Sequence, residues 1–167
     1  MQTFTRRAFG LTLGASALTV AACAKRPAYN GPPVTGIVVN KSARRIYLLN
    51  YDNVLKAYDV DLGFSPEGHK QFEGDGRTPE GTYQIDRRNP RSQFHLSVGI
   101  SYPNDNDRAL AFAAGKRPGG DIFIHGEPNN ERPKKRDWTA GCIAVKNDEI
   151  EEIYVMVPLG TSISLRA

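Results

Sequence analysis

The chain has 167 residues and a formal net charge of +4, with 40% hydrophobic and 24% charged residues. This length predicts a single domain. The first 22 residues contain two of the cations, Arg6 and Arg7, and no acid, so the remainder carries only +2 of that charge. So small a positive charge does not indicate a nucleic-acid partner, and the basic run at 134–136 is interpreted as a solvated loop or a contact to an anionic polymer.

Residues 1–22 have the layout of an export signal, because Arg6 and Arg7 precede an apolar run that ends at Ala22. The two arginines resemble a twin-arginine signal, and the Val-Ala-Ala-Cys sequence that ends at Cys23 resembles a lipobox, whose cysteine is lipidated. We expect an exported protein of the periplasm or cell envelope, held on a membrane by a lipid at Cys23. The alternatives are cleavage near Ala22 or Ala24 to a soluble product, and a membrane anchor or buried helix, although the run is short for a membrane span.

A Pro-rich tether follows at 23–33, and the domain is predicted to span 34–167. Within the domain, short β-branched and alternating segments predict strands, a Gly-rich segment at 63–81 predicts a loop, and two segments with helical signals predict short helices. The fold class is therefore mainly β, a sandwich or barrel-like domain with two short helices. The predicted strands are Thr35–Asn40, Arg44–Asn50, Val54–Leu62, Thr82–Asp86, Gln93–Ser101, Asp121–His125, Ile143–Val145 and Ser162–Leu165, and the helices are Asp107–Ala114 and Asp148–Val157.

The cysteines limit the chemistry, since the chain has only Cys23 and Cys142. If Cys23 carries a lipid, Cys142 has no partner in the chain, and an unpaired thiol in an exported protein is either reactive or intermolecular. No cysteine and histidine pair stands at the spacing of zinc ligands, so we predict no metal site.

Cys142 follows Gly141 at a predicted junction between a loop and a strand, where backbone N–H groups can form an oxyanion hole. The alternative is a small buried hydrophobic residue. A nucleophilic cysteine needs a base, and His125 ends an apolar strand 17 residues earlier. The other histidines fit less well, because His95 is expected to be half-exposed in mid-strand and His69 to be solvated in the Gly-rich loop.

Several segments of the chain occur in the same order as the motifs of one known family. They are Gly76-Arg77-Thr78-Pro79-Glu80-Gly81-Thr82-Tyr83, Ser101-Tyr102-Pro103-Asn104, Pro118-Gly119-Gly120-Asp121-Ile122-Phe123-Ile124-His125-Gly126 and Asp137-Trp138-Thr139-Ala140-Gly141-Cys142-Ile143. Together they resemble the L,D-transpeptidase (YkuD-type) catalytic domain, from about Val34 to the C-terminus. The family usually has a histidine at the position of Ala140, and a branch with an Asp-Trp-Thr-x-Gly-Cys box is more similar to this chain.

The resemblance implies an L,D-transpeptidase-like β-sandwich that acts on peptidoglycan peptide stems without a cofactor. Cys142 would attack the carbonyl of the third residue of a tetrapeptide stem, with His125 as base and the Gly126 carbonyl as the third partner of the pair. The N–H groups of Gly141 and Cys142 would bind the oxyanion, and an amine of a diamino acid would then take the acyl group.

Four residues near this box, Arg132, Arg136, Trp138 and Thr139, would bind a carboxylate of the stem or pack in the wall of the site. Two other functions stay open. Because Ala140 replaces the usual histidine, water could replace the amine, giving an L,D-carboxypeptidase or an amidase of peptidoglycan cross-links. A non-catalytic wall-binding lipoprotein would require a buried, unreactive Cys142.

Overall fold

The computed structural model describes residues 28–131, 133 and 135–167. The predicted signal peptide, the lipidation site at Cys23 and the substrate-binding candidate Arg132 therefore lie outside the described residues. The described residues form eight strands and two helices. In chain order these are β1 (Gly36–Asn40), β2 (Arg45–Asn50), β3 (Asn53–Asp59), β4 (Gly81–Ser92), β5 (His95–Ile100), α1 (Asp105–Ala113), β6 (Phe123–His125), β7 (Ile143–Ala144), α2 (Asn147–Met156) and β8 (Ser162–Arg166).

The strands form one sheet in the order β3-β2-β1-β8-β4-β5-β6-β7. Neighbours are antiparallel except for the parallel pairs β1–β8 and β6–β7. Strand β4 joins the two halves of the sheet, because 81–84 pair with β8 and residues from Ile85 onward pair with β5. Isolated bridges from Asp61 to Ala144 and from Gly63 to Thr139 connect the two ends. The mainly-β prediction is confirmed, and the two layers of the expected sandwich are halves of one continuous sheet.

Alternating apolar residues explain why these segments pack as strands. In β1, Ile37 and Val39 are buried while their neighbours are partly exposed, and β2 repeats the pattern with Ile46 and Leu48. Buried side chains from both halves of the sheet and from α2 form one core cluster. That shared core fixes the register of β6, which ends in the candidate base His125, against β7, which directly follows the candidate nucleophile Cys142.

The two helices lie close to their predicted positions. Helix α1 begins earlier than predicted, because Asn104 is the N-cap and Asp107 is the N3 residue of a reciprocal capping box. Helix α2 buries Ile150 and Ile153 and packs against β5 and β6. Within the described ranges, neither helix is long and apolar enough to cross a membrane.

Two local predictions were wrong. Strand β4 continues to Ser92, well past the predicted end at Asp86, with irregular pairing near Pro90. His69 is not simply solvated, because its Nδ1 accepts a hydrogen bond from the Glu80 N–H at 2.9 Å and its Nε2 lies 3.1 Å from Asp107 Oδ1. The imidazole therefore links the Gly-rich loop to the cap of α1, whereas His95 is half-exposed as predicted and contacts Glu151.

Candidate active site

The parallel pairing of β6 and β7 places the candidate nucleophile beside the candidate base. Ile124 pairs with Ile143, so Cys142 lies level with Phe123 and His125 lies level with Ala144. Alternate residues of a strand share a face, so Cys142 and His125 point to the same side of the sheet. Both line one open cavity of about 540 Å³.

His125 is held by contacts on several sides and is only 3% exposed. Its Nδ1 lies 2.7 Å from the Gly126 carbonyl oxygen. A carbonyl can only accept a hydrogen bond, so Nδ1 carries the proton, and in the neutral ring Nε2 is free to accept one. Phe94 stacks on the imidazole with ring centroids 4.5 Å apart, and Trp138 approaches edge-on at 5.5 Å. These contacts fix the tautomer and the ring plane that a general base requires.

Gly126 is needed at its position because the surroundings leave no room for a side chain. A Cβ there would lie 2.5 Å from Asn147 Oδ1 and 3.1 Å from the Phe94 carbonyl oxygen. The Gly126 N–H donates to the carbonyls of Phe94 and Leu96. This close packing keeps the Gly126 carbonyl directed at the imidazole. The carbonyl is thus placed as the third partner of the catalytic pair, as the resemblance implied.

Cys142 is half-buried and unpaired at the edge of the same cavity. Its thiol lies 3.5 Å from the Asp121 carbonyl oxygen, which accepts from the S–H group. Burial raises the pKa of the thiol above its ordinary value, and a hydrogen bond from the Phe123 N–H opposes that shift only in part. Burial also lowers the pKa of His125, again only partly opposed by the bond to Gly126. Both directions favour a neutral thiol and a neutral imidazole in the free protein, rather than a thiolate paired with an imidazolium.

The turn before Cys142 is closed by the hydroxyl group of Thr139. Its Oγ1 donates to the Cys142 carbonyl at 2.7 Å and accepts from the Gly141 N–H at 3.1 Å. Thr139 is only 4% exposed, so it holds the turn rather than lining a surface that a ligand could touch. The Gly141 N–H already donates to Thr139 within the turn, which leaves the Cys142 N–H as the remaining candidate for an oxyanion donor.

Gly141 nevertheless has a strict steric role. Its φ of +131° is a conformation that residues with a side chain rarely adopt, and a Cβ would lie 2.6 Å from the Arg77 carbonyl oxygen. Gly141 therefore lets the turn pass close to the Gly-rich loop, and Arg77 contributes to this packing through its backbone.

The remaining substrate-binding candidates do not line the cavity of Cys142. Arg136 is exposed and Trp138 is partly buried, and both line a second cavity of about 560 Å³ together with Lys146 and Ala144. Trp138 contacts His125 while lining this second cavity, so its ring separates the two spaces. The structure thus gives Trp138 a packing contact with the base, and it places Arg136 away from the nucleophile.

The hairpin formed by β4 and β5 supplies much of the wall around the nucleophile, and sequence reasoning missed it. Its contribution to the cavity comprises Asn89, Arg91, Ser92, Gln93, Phe94 and Ser97. The polar residues around Pro90 were the available sequence signal for this wall, but such a run is typical of a surface turn. Among the described residues, no group of three or more His, Cys, Asp or Glu side chains is arranged to hold a metal ion.

Arg87 packs against Phe123 and Asp121, two residues that line the cavity beside the nucleophile. Its guanidinium stacks on the Phe123 ring, 4.4 Å from the centroid, and also contacts Asp86 and Asp121. Gly99 makes this position available, because a Cβ at Gly99 would lie 2.5 Å from Arg87 Cγ. The site is therefore a walled cavity with an accessible thiol and a neutral imidazole, an arrangement suited to acyl transfer.

Comparisons with known proteins identify the family of this chain. The model of the YkuD family, the L,D-transpeptidase catalytic domain, matches residues 35–165. The chain is 33% identical over 106 residues to YafK of Escherichia coli K12, whose own L,D-transpeptidase assignment is provisional; the match covers 62% of this chain and 37% of YafK. The chain thus spans little more than a third of that curated relative.

Solved structures show the same fold. A variant of Pgp2, the helical cell shape determining protein of Campylobacter jejuni, is 27% identical with a TM-score of 0.64, over 83% of this chain and 48% of that one. Bd1075 of Bdellovibrio bacteriovorus is 26% identical with a TM-score of 0.55, over 80% and 48%. An L,D-transpeptidase from Xylanimonas cellulosilytica, at 15% identity and a TM-score of 0.52 over 85% and 65%, supports the fold alone. With the family match over most of its length, this chain belongs to the YkuD family of L,D-transpeptidase catalytic domains.

Proposed function

We propose that this protein is a peptidoglycan L,D-transpeptidase that uses Cys142 to transfer an acyl group from a tetrapeptide stem to an amine. The observation that carries the proposal is the shared cavity, which Cys142 and a tautomer-fixed His125 line together. Family membership supports the reaction class. The similarity to Pgp2, a helical cell shape determining protein, supports a role in organising the cell wall and thereby cell shape.

The first step forms a thioester. As the Cys142 sulfur attacks the carbonyl of the third stem residue, His125 Nε2 takes the thiol proton, so the nucleophile becomes anionic only when the substrate is in place. The Cys142 N–H is the proposed donor to the developing oxyanion. The bond to the terminal D-alanine then breaks, and that amine leaves with the proton from His125.

The second step regenerates the enzyme. An amine of a second stem attacks the thioester carbonyl and gives a proton to His125 as a new amide bond forms. The carbon–sulfur bond breaks, and the proton returns to the Cys142 sulfur. No part of this sequence requires an oxidant or a reductant, so the thiol and the imidazole supply the complete chemistry.

Water is the second candidate acceptor, and Ala140 favours it. Ala140 is exposed next to the nucleophile turn, where the family usually has a histidine. We assign the chain to the branch of the family with the Asp-Trp-Thr-x-Gly-Cys box. Without a histidine at 140, His125 must assist whichever acceptor enters, and with water as acceptor the protein would be an L,D-carboxypeptidase or an amidase. A wall-binding protein without catalysis has no use for an oriented imidazole beside a half-exposed thiol.

We also propose export and lipidation at Cys23, which together would place the domain in the cell envelope beside its substrate. The prediction rests on the arginine pair, the apolar run and the cysteine that follows it. Fractionation of cells, with mass spectrometry of the mature N-terminus, tests it. An intact residue 1–22 segment in a cytoplasmic fraction would refute it.

Mass spectrometry of purified tetrapeptide muropeptides incubated with the protein tests the reaction. Wild type, Cys142→Ala and Cys23→Ala are compared, since the two cysteines provide matched variants. Cross-linked dimers that form with wild type and Cys23→Ala but not with Cys142→Ala support the transpeptidase. Cys142-dependent loss of D-alanine without dimers supports the carboxypeptidase. A parallel incubation contains purified cross-linked muropeptides. Cys142-dependent cleavage of these, with the tetrapeptides unchanged, would support the amidase instead.

A further inference from the structure

Ser97 is a buried polar residue of the active-site cavity to which the mechanism above gives no role. It lies in β5 and lines the same cavity as Cys142 and His125, yet only 3% of its surface is exposed. Its hydroxyl has no hydrogen-bond partner among the described residues. A buried hydroxyl usually finds a partner, so an unpaired one in a reactive cavity calls for an explanation.

The position of the hydroxyl follows from two observations. No fully buried side-chain nitrogen or oxygen of the described residues lacks a hydrogen-bond partner, so the small exposed part of Ser97 must include its oxygen. The cavity is the open space that Ser97 borders. The hydroxyl therefore faces the space where a substrate would lie.

Ser97 is also the cross-strand neighbour of His125. The two residues pair directly in the antiparallel β5–β6 ladder. Side chains paired in this way share a face, with Cβ atoms about 5 Å apart. Since His125 Nδ1 is bound to the Gly126 carbonyl, any proton that the ring exchanges with a substrate passes through Nε2 in this cavity.

We propose that Ser97 is a further substrate-contacting residue, whose hydroxyl hydrogen-bonds to the amine that leaves and to the amine or water that enters. Both groups occupy the same place in turn, because each must lie within hydrogen-bonding reach of His125 Nε2. A serine hydroxyl can both donate and accept, so it can orient a neutral amine or a water molecule toward the carbonyl. Cys142 and His125 still carry out all bond making and breaking.

The test compares Ser97→Ala with the matched control Ser101→Ala in the full-length protein. Ser101 follows the same strand, and its Oγ accepts from the Gln84 N–H outside the cavity. We expect Ser97→Ala to lower kcat for muropeptide turnover about 10-fold with little change in KM, since one net hydrogen bond is lost in the transition state. Intact-mass measurement should show more thioester accumulating at steady state if entry of the acceptor is impaired more than departure of the amine.

Two further measurements separate a substrate contact from a structural role. The melting temperature of Ser97→Ala should match wild type, because the hydroxyl has no protein partner to lose, and the rate of alkylation of Cys142 by iodoacetamide should also be unchanged. Turnover within twofold of wild type would overturn the inference, as would a parallel loss of alkylation or a lower melting temperature. The inference rests on the proposed function, but the two can fail separately. A wild type without Cys142-dependent turnover refutes the proposed function. An active wild type and an equally active Ser97→Ala refute only this inference.

Discussion

The guanidinium of Arg44 contacts both carboxylate oxygens of Asp137 at 2.8 to 3.1 Å, although the two residues are 93 positions apart. The Leu62 N–H donates to the same carboxylate. Partial burial alone would raise the pKa of Asp137, but these hydrogen bonds outweigh it and hold the pKa below its ordinary value. The pair fastens the loop that begins the nucleophile box to the turn between β1 and β2, and so supports Trp138 against His125.

Replacing Arg44 tests this connection. Arg44→Ala leaves the partly buried Asp137 carboxylate with one fewer strong donor, so we expect a loss of about 1.5–3 kcal/mol in the free energy of unfolding, the usual range for hydrogen bonds to charged groups. Turnover should fall as well, because Trp138 loses its fixed position. Denaturant unfolding and muropeptide assays measure the two effects.

The adjacent residue provides the control for that variant. Arg45 forms an ion pair with Asp59, whose side chain is largely exposed. Arg45→Ala should leave the free energy of unfolding nearly unchanged, as expected for a solvent-exposed surface pair. Equal effects of the two substitutions would contradict the assigned role of Arg44.

The protonation of Cys142 can be followed by its reaction with iodoacetamide. Because the pKa of the thiol is raised and that of His125 is lowered, the free protein holds a neutral pair, and alkylation should become faster only as pH rises past the ordinary thiol value of about 8.5. His125→Gln should have nearly the same profile. Rapid labelling of wild type between pH 5 and 7, abolished in His125→Gln, would instead indicate a resting ion pair.

Burial of neutral His125 also predicts how stability depends on pH. The folded pKa of His125 lies below the unfolded value of about 6.5, so the unfolded state binds the proton first as pH falls. The contribution of His125 to stability is therefore complete above that value and is lost as pH falls through it. The free energy of unfolding should drop more steeply from pH 7 to pH 5 in wild type than in His125→Gln. Parallel curves would contradict this assignment, since His69 and His95 are common to both proteins.

The hydroxyl of Thr139 is predicted to hold the nucleophile turn. Thr139→Val keeps the shape of the side chain but loses the hydrogen bonds to the Cys142 carbonyl and the Gly141 N–H. Because both groups lose a buried partner, the free energy of unfolding should fall by about 1–3 kcal/mol. Turnover should fall with it. Thr139→Ser keeps the hydroxyl and should retain most of the activity. If Thr139→Ser loses as much activity as Thr139→Val while its stability is unchanged, the methyl group rather than the hydroxyl is the important feature.

The sequence was sufficient to identify most strands and both helices, because each has its own pattern. Alternation in β1 and β2 and the helical spacing of Ile150 and Ile153 are local properties that need no partner to be recognised. The irregular end of β4 was missed because Pro90 and its polar neighbours lack the alternation of a strand. His69 was misjudged because its partners, Glu80 and Asp107, come from segments that only the fold brings together.

For the site, the sequence alone determined the pairing of a Gly-preceded cysteine with a histidine at a strand end, and the family that this pair and its flanking motifs resemble. Tertiary structure decided which groups surround the pair. The register of β6 against β7 sets the approach of Cys142 to His125, and the β4–β5 hairpin brings Ser97 into the cavity while Arg136 lies outside it. A motif records covalent neighbours, whereas burial, hydrogen bonding and the pKa of a thiol depend on groups that are distant in sequence and become neighbours only when the sheet closes around its core.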